Sequence, residues 1–242
     1  MSSGYTYQAI SKMIDHALLT PTLSTSDLET GIALALAYDV ASVCIMPYAV
    51  PRCAELLSAS TVKTSTVIGF PLGVNTTAVK RAEAEQAIAD GCEELDMVVN
   101  LSKVISGDWD YVRQDIAAVI EVAHAAKQKV KVIFENCYLN ETQKIRLCEI
   151  CGQLDADWVK TSTGFGTSGA TSEDLALMRQ HTPEHVQVKA AGGIRDFETV
   201  VSVRELGVTR VGASRTKEIL DACRLQLGMP RIDVADTGSD GY

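Results

Sequence analysis

The chain has 242 residues, enough for one α/β barrel or for two small domains. An apolar fraction of 46% with 22% charged residues is ordinary for a globular protein, and a formal charge of −9 argues against nucleic acid or an anionic membrane surface as partner. No apolar run approaches the roughly 20 residues of a membrane span, and residues 1–6 lack the basic and apolar regions of a secretory signal.

Taken in chain order, a short leading helix over 7–13 precedes strands expected at 14–17, 41–46, 64–70, 94–100, 130–135, 158–162, 186–191 and 210–213. Helices are expected between them at 26–38, 76–90, 108–127, 141–154, 172–180, 196–206 and 214–227. Ser26 reads as an N-cap with Glu29 closing a capping box, and Gly91 as the residue that ends its helix. In the helix over 108–127, Val112, Ile116, Val119 and Ala123 recur three or four apart. The strands begin on average about 28 residues apart, and eight such units are what a (β/α)8 TIM barrel requires. A doubly wound sheet would carry its glycine-rich turn after the first strand. The one such spacing, Gly164-x-Gly166-x-x-Gly169, comes after the sixth. The expectation is a single α/β barrel domain over 1–242, with a leading helix at 1–13 and a flexible polar tail at 228–242.

Seven irregularly spaced cysteines suit a reducing compartment, so the cytoplasm is the expected location. Cys148-x-x-Cys151 lies within a helix and has no second pair, which makes it a packing element rather than a redox or zinc motif. His16, His124, His181 and His185 show no ligand spacing, and neither a metal nor a cofactor is expected.

Period-two alternation along the strands puts charge where a packing core wants Val, Ile and Leu. Lys160 points inward between Val159 and Thr161, Lys189 between Val188 and Ala190, and Asp96 between Leu95 and Met97. The same rule turns Asp15, Cys44, Lys131 and Glu135 inward. A buried structural ion network is the bland alternative. Against it, the lysines stand a few residues before glycine-rich loops at strand C-termini, the active-site face of such a barrel. A free lysine has a pKa near 10.4, leaving about one amine in a thousand unprotonated at pH 7. A second ammonium and desolvation both lower it, and a three-unit drop corresponds to about 4 kcal/mol. One lysine then serves as nucleophile towards a carbonyl while the other stays charged beside Asp96, which anchors it and relays protons. The residues themselves do not say which lysine attacks. Three loops of small residues, 163–169, 192–195 and 212–214, follow the last three strands and run towards helix N-termini. Such loops bind phosphate, so the expected partner is a small phosphorylated aldehyde or sugar.

Several stretches carry a resemblance. They are Val159-Lys160-Thr161-Ser162-Thr163-Gly164-Phe165, Val188-Lys189-Ala190-Ala191-Gly192-Gly193-Ile194-Arg195, Glu94-Leu95-Asp96-Met97-Val98-Val99-Asn100 and Ile14-Asp15-His16. With Ser42-Val43-Cys44-Ile45-Met46-Pro47 and Val67-Ile68-Gly69-Phe70-Pro71-Leu72-Gly73, they resemble the deoxyribose-phosphate aldolase family in order, from about residue 10 to 225. The resemblance implies a metal-free class I aldolase that reversibly cleaves 2-deoxy-D-ribose 5-phosphate to D-glyceraldehyde 3-phosphate and acetaldehyde. It assigns the Schiff base to Lys160. Lys189 lowers the pKa of Lys160 and, with Asp96, shuttles protons. Gly192, Gly193, Gly212, Ser214 and the Gly164 loop would hold the phosphate, and Asp15, Cys44 and Thr163 would line the substrate pocket. Composition favours a disordered tail, whereas in similar aldolases a terminal tyrosine folds over the site and helps protonate the enamine carbon, a role the resemblance gives to Tyr242. Ala17 after His16, and Asn136 after Glu135, depart from the expected Thr or Ser and threonine. A homodimer is the expected assembly. Two other readings stay open: a Schiff-base barrel aldolase for another phosphorylated or keto-acid substrate, and a phosphate-binding isomerase that uses Asp96 as base without covalent chemistry.

Overall fold

The computed structural model describes residues 4–236. Eight parallel strands close into a barrel in chain order: β1 (Ile14–Leu18), β2 (Ser42–Ile45), β3 (Lys63–Ile68), β4 (Glu94–Val98), β5 (Lys129–Ile133), β6 (Trp158–Lys160), β7 (Gln187–Ala191) and β8 (Arg210–Ala213). Closure is made by β1 against β8, with Asp15 opposite Gly212. Ten helices surround the described barrel: α1 (Tyr7–Ser11), α2 (Thr25–Tyr38), α3 (Val50–Leu57), α4 (Thr77–Ala89), α5 (Leu101–Ile105), α6 (Trp109–Ala125), α7 (Glu141–Gln153), α8 (Ser172–His181), α9 (Phe197–Glu205) and α10 (Thr216–Gln226). The TIM barrel expected from the strand spacing is the observed fold.

The elements differ from the sequence reading in instructive places. α3 follows β2 without having been anticipated; its first turn accepts Pro51, whose missing N–H has no partner to lose there. β4 stops at Val98 because Asn100 caps α5, accepting a hydrogen bond from the Lys103 N–H at 3.2 Å. The capping box of α2 is two residues earlier than expected. Ser24 Oγ accepts from the Asp27 N–H, and the Asp27 carboxylate accepts from the Ser24 N–H at 2.8 Å. Glu29 instead pairs with Arg52 of α3. Gly91 does follow the end of α4, with φ +97°.

Burial divides the strands cleanly. Val43, Leu95, Met97, Val130, Val132, Val159, Val188 and Ala190 face outward into one apolar shell shared with the helices. The inward positions hold charge, so the apolar core of this protein is the annulus between barrel and helices. A separate small apolar cluster, Leu19, Cys44 and Val67 with Met46 and Phe70 against it, lies on the inner side.

The tail departs from the flexible expectation over its described part. Ile232 and Val234 pack on the core. The Ile232 N–H donates to Asp221 at 3.3 Å, and the Lys217 ammonium donates to the Val234 carbonyl. Residues 229–236 thus lie back along α10 towards its N-terminus, at the end of the barrel where the strand C-termini lie. Tyr242 lies outside the described residues.

Gly73 shows how tightly the loop after β3 seats on β4: its φ is +69°, and a Cβ there would stand 1.9 Å from the Val99 carbonyl oxygen. Gly73→Ala is expected to cost about 2 kcal/mol or more of unfolding free energy, read by chemical denaturation.

Candidate active site

Alternation brings side chains from six strands into one buried ion network along the barrel axis. Asp96 of β4 is its hub. One oxygen accepts from both Lys160 of β6 and Lys189 of β7, each at 2.7 Å; the other accepts from Lys131 of β5 at 2.8 Å. Lys189 also donates to Asp15 of β1 at 2.5 Å. Deeper in the barrel, Lys131 pairs with Glu94 at 2.7 Å, and Arg210 of β8 bridges Asp15 (2.6 Å) and Glu94 (2.8 Å). Ser42 donates to Asp15 at 2.6 Å, and the Arg210 guanidinium lies 4.7 Å from the Trp158 ring centre.

Glu94 and Arg210 escaped the sequence reading, although each lies two residues before a position whose direction mattered. Stepping back by two from Asp96 and from Gly212 turns both inward. Glu135, expected inward on β5, lies beyond its end, with a left-handed backbone (φ 56°) that swings its carboxylate towards the loop after β6.

The network holds four basic groups (Lys131, Lys160, Lys189, Arg210) and three carboxylates (Asp15, Glu94, Asp96). One neutral amine balances it, and the environments single out which. Burial lowers the pKa of Lys160, and the Lys189 charge lowers it further, together outweighing the pull of Asp96. Burial works the same way on Lys189, but Asp15 and Asp96 outweigh it and hold that pKa above the ordinary lysine value. Lys131 is raised further still, because Asp15, Asp96 and Glu94 all face it. For both aspartates burial opposes ionisation, yet the cations prevail: Arg210, Lys131 and Lys189 keep Asp15 low, and Lys131, Lys160 and Lys189 keep Asp96 low. Of the influences that lower the Lys160 pKa, desolvation is thus the larger and the cationic companion the smaller. The Cys44 thiol is pushed up, chiefly by burial, and is protonated at neutral pH.

A cleft of about 560 Å³, counting its open mouth, stands over this network at the strand C-termini. Asp15, Cys44, Lys160 and Lys189 form its floor. Gly192, Gly193, Gly212 and Ser214 form one wall, Thr163 adjoins Lys160, and Arg195 brings a cation to the glycine side. Asp96 lies fully buried beneath. Gly164 does not line the cleft; its φ of +94° turns the loop behind Thr163. Ala17, the departure on β1, is part of the wall. Asn136 is buried beside Met178, its amide 3.3 Å from the sulfur. The histidines stand elsewhere: His16 bonds Thr216 on the helix side, while His124 and His185 meet Asp157 and Asp155. Among the described residues no group of His, Cys, Asp and Glu is arranged to hold a metal ion.

The DeoC/LacD family aldolase model matches residues 9–214. A deoxyribose-phosphate aldolase of Rhodopirellula baltica is 64% identical over 240 residues, covering 99% of this chain and all of that relative. Among solved structures, "QR15, an Aldolase" superposes with a TM-score of 0.86 at 38% identity, over 90% of this chain and 97% of that one. The deoxyribose phosphate aldolase of Aeropyrum pernix, described as tetrameric, gives 0.84 at 28% identity, over 90% and 92%. With the family model spanning most of its length and a near full-length relative at such identity, the chain belongs to the DeoC/LacD aldolase family.

Proposed function

We propose that this chain is a class I aldolase that reversibly cleaves 2-deoxy-D-ribose 5-phosphate to D-glyceraldehyde 3-phosphate and acetaldehyde, with Lys160 as the Schiff-base lysine. The observation that carries the assignment is the asymmetry among the three barrel lysines. Lys160 opens onto the cleft with its proton affinity depressed, whereas Lys189 and Lys131 are locked as ammonium ions by carboxylates.

The chemistry follows from that asymmetry. The neutral Lys160 amine attacks C1 of the open-chain sugar, and loss of water leaves a protonated imine. A base removes the C3 hydroxyl proton, the C2–C3 bond breaks, and its electrons flow into the iminium to give an enamine. Departing glyceraldehyde 3-phosphate takes C3 as its carbonyl. Protonation of the enamine at C2 and hydrolysis release acetaldehyde and restore the amine. Asp96, which accepts from both Lys160 and Lys189, can pass these protons between them with little movement. The Gly192–Gly193 loop, Gly212 and Ser214 would bind the phosphate. They stand beside the N-terminus of α10, where free N–H groups and the helix dipole favour an anion. Thr163 would shape the wall, since its hydroxyl is engaged with Glu135. Asp15 would act from the floor as the anchor of Lys189, and Cys44 as a neutral lining group. The seven free thiols fit the cytoplasm as location, and a homodimer remains the assembly we propose.

Borohydride reduction in the presence of deoxyribose 5-phosphate should inactivate the protein and add mass to the peptide carrying Lys160. Lys160→Met should lower turnover by about a thousandfold or more. Mass on another lysine, or full turnover by the variant, would remove the assignment.

Imine formation needs the unprotonated amine, so its rate with acetaldehyde should fall as pH drops through the depressed Lys160 value. Lys189→Met removes a neighbouring cation and leaves Asp15 and Asp96 less neutralised. Both changes raise the Lys160 pKa, so the acid limb should move to higher pH. An unmoved limb would contradict the coupling.

For Tyr242 we propose enamine protonation. Residues 229–236 run towards the strand C-termini, and six further residues span about 20 Å at most. Deleting Tyr242 should slow exchange of acetaldehyde methyl hydrogens with solvent while leaving borohydride trapping intact, and unchanged exchange would count against the role.

A further inference from the structure

Among the described residues, four other than glycine have a left-handed backbone: Asp39, Lys127, Glu135 and Asp155. Asp39, Lys127 and Asp155 close α2, α6 and α7, where a left-handed residue is an ordinary helix ending. Glu135 has no such reason. It follows β5 at the strand C-termini, with φ 56° and ψ 62°. Its side chain is 2% exposed and makes no ion pair among the described residues. A strained backbone and a buried carboxylate without a cation are each unfavourable, and each persists only where its surroundings enforce it.

Those surroundings are the loop after β6. The Thr163 N–H donates to one Glu135 oxygen at 3.1 Å, and the Thr163 hydroxyl donates to the other. That hydroxyl in turn accepts from the Phe165 N–H at 3.0 Å. Gly166 passes so close that a Cβ would lie 2.7 Å from Cys137 Sγ and 3.1 Å from Glu135 Cδ. At its far end the loop is seated on Gly192. The Ala170 N–H donates to the Ala191 and Gly192 carbonyls, and a Cβ on Gly169 would stand 2.1 Å from the Gly192 oxygen. Thr163 and Gly192 both line the cleft, whereas Glu135 does not.

We propose that Glu135 is a positioning residue for substrate binding: its buried carboxylate clamps the start of the loop 163–169, and the loop carries that constraint to Thr163 and, through Gly169, to Gly192 on the anion side of the cleft. The clamp makes no contact with the Lys160 amine, whose partner Asp96 and cationic companion Lys189 stand on β4 and β7. The substrate used in the test rests on the activity proposed above; the clamp itself does not.

The experiment compares Glu135→Leu, Glu135→Gln and Gly166→Ala in the full chain. Glu135→Leu and Gly166→Ala should raise KM for deoxyribose 5-phosphate about tenfold, with the rate of acetaldehyde imine trapping within about twofold of the parent. Glu135→Gln keeps an acceptor for the Thr163 N–H and a polar partner for its hydroxyl, and should return KM to within about threefold. Amide hydrogen exchange over 163–169 should speed up in the first two variants while the barrel strands stay protected. Should Glu135→Leu fail to fold, Gly166→Ala reads the same loop from the other side. Unchanged KM and exchange in these variants would overturn the proposal, as would equal losses of KM and trapping with exchange rising throughout the barrel. Should the parent neither cleave the sugar phosphate nor trap acetaldehyde, the activity reading falls, and the exchange contrast still decides the clamp.

Discussion

One carboxylate organises this barrel. Asp96 accepts from three lysine side chains on three different strands. Lys189 and Lys131 each have further carboxylates, while Lys160 shares only the Asp96 oxygen that Lys189 also occupies. Competition for one anion, inside a buried site, separates one amine of depressed proton affinity from two cations.

Such a network is poor evidence of stability. Desolvating these ionisable groups offsets most of what their pairing contributes, and an apolar filling would hold a barrel together as well. The fold rests instead on the annulus of outward-facing Val, Ile, Leu and Met against the helices. Stability and chemistry are therefore separated by the strand alternation itself: in each strand one set of alternate positions packs on the helices and the other carries the charge. The interior can be tuned with limited consequence for folding, provided its ions remain balanced.

The cleft adds a second division. Small residues after β7 and β8, with the N-terminus of α10, form a side suited to an anion, and the amine stands on the side of β6. In the function proposed above, a sugar phosphate across the cleft would have its phosphate and its carbonyl held by different strands. Binding energy at the phosphate can then be used to hold the carbonyl near Lys160. The buried Glu135 clamp belongs to this division, because it sets the loop that joins the two sides.

Much of this was legible in the chain. Eight apolar runs at barrel spacing define the topology, and period-two alternation around Lys160, Lys189 and Asp96 turns those residues inward, because strand geometry is local. Gly192 and Gly193 after β7, and Gly212 late in β8, are legible for the same reason as the small-residue side of the cleft. Other features required the fold. Which lysine loses its proton depends on distances between strands 29 or more residues apart in sequence, and on burial, which no local pattern encodes. Arg210 and Glu94 stand at strand starts, where alternation is weakest to read, and only closure of β8 on β1 makes them partners. Glu135 left its expected strand because its backbone turns left-handed to meet Thr163, a contact between loops. Local periodicity could determine which residues enter the barrel; only the closed tertiary structure could decide how they share charge, since that depends on through-space neighbours and on exclusion of water.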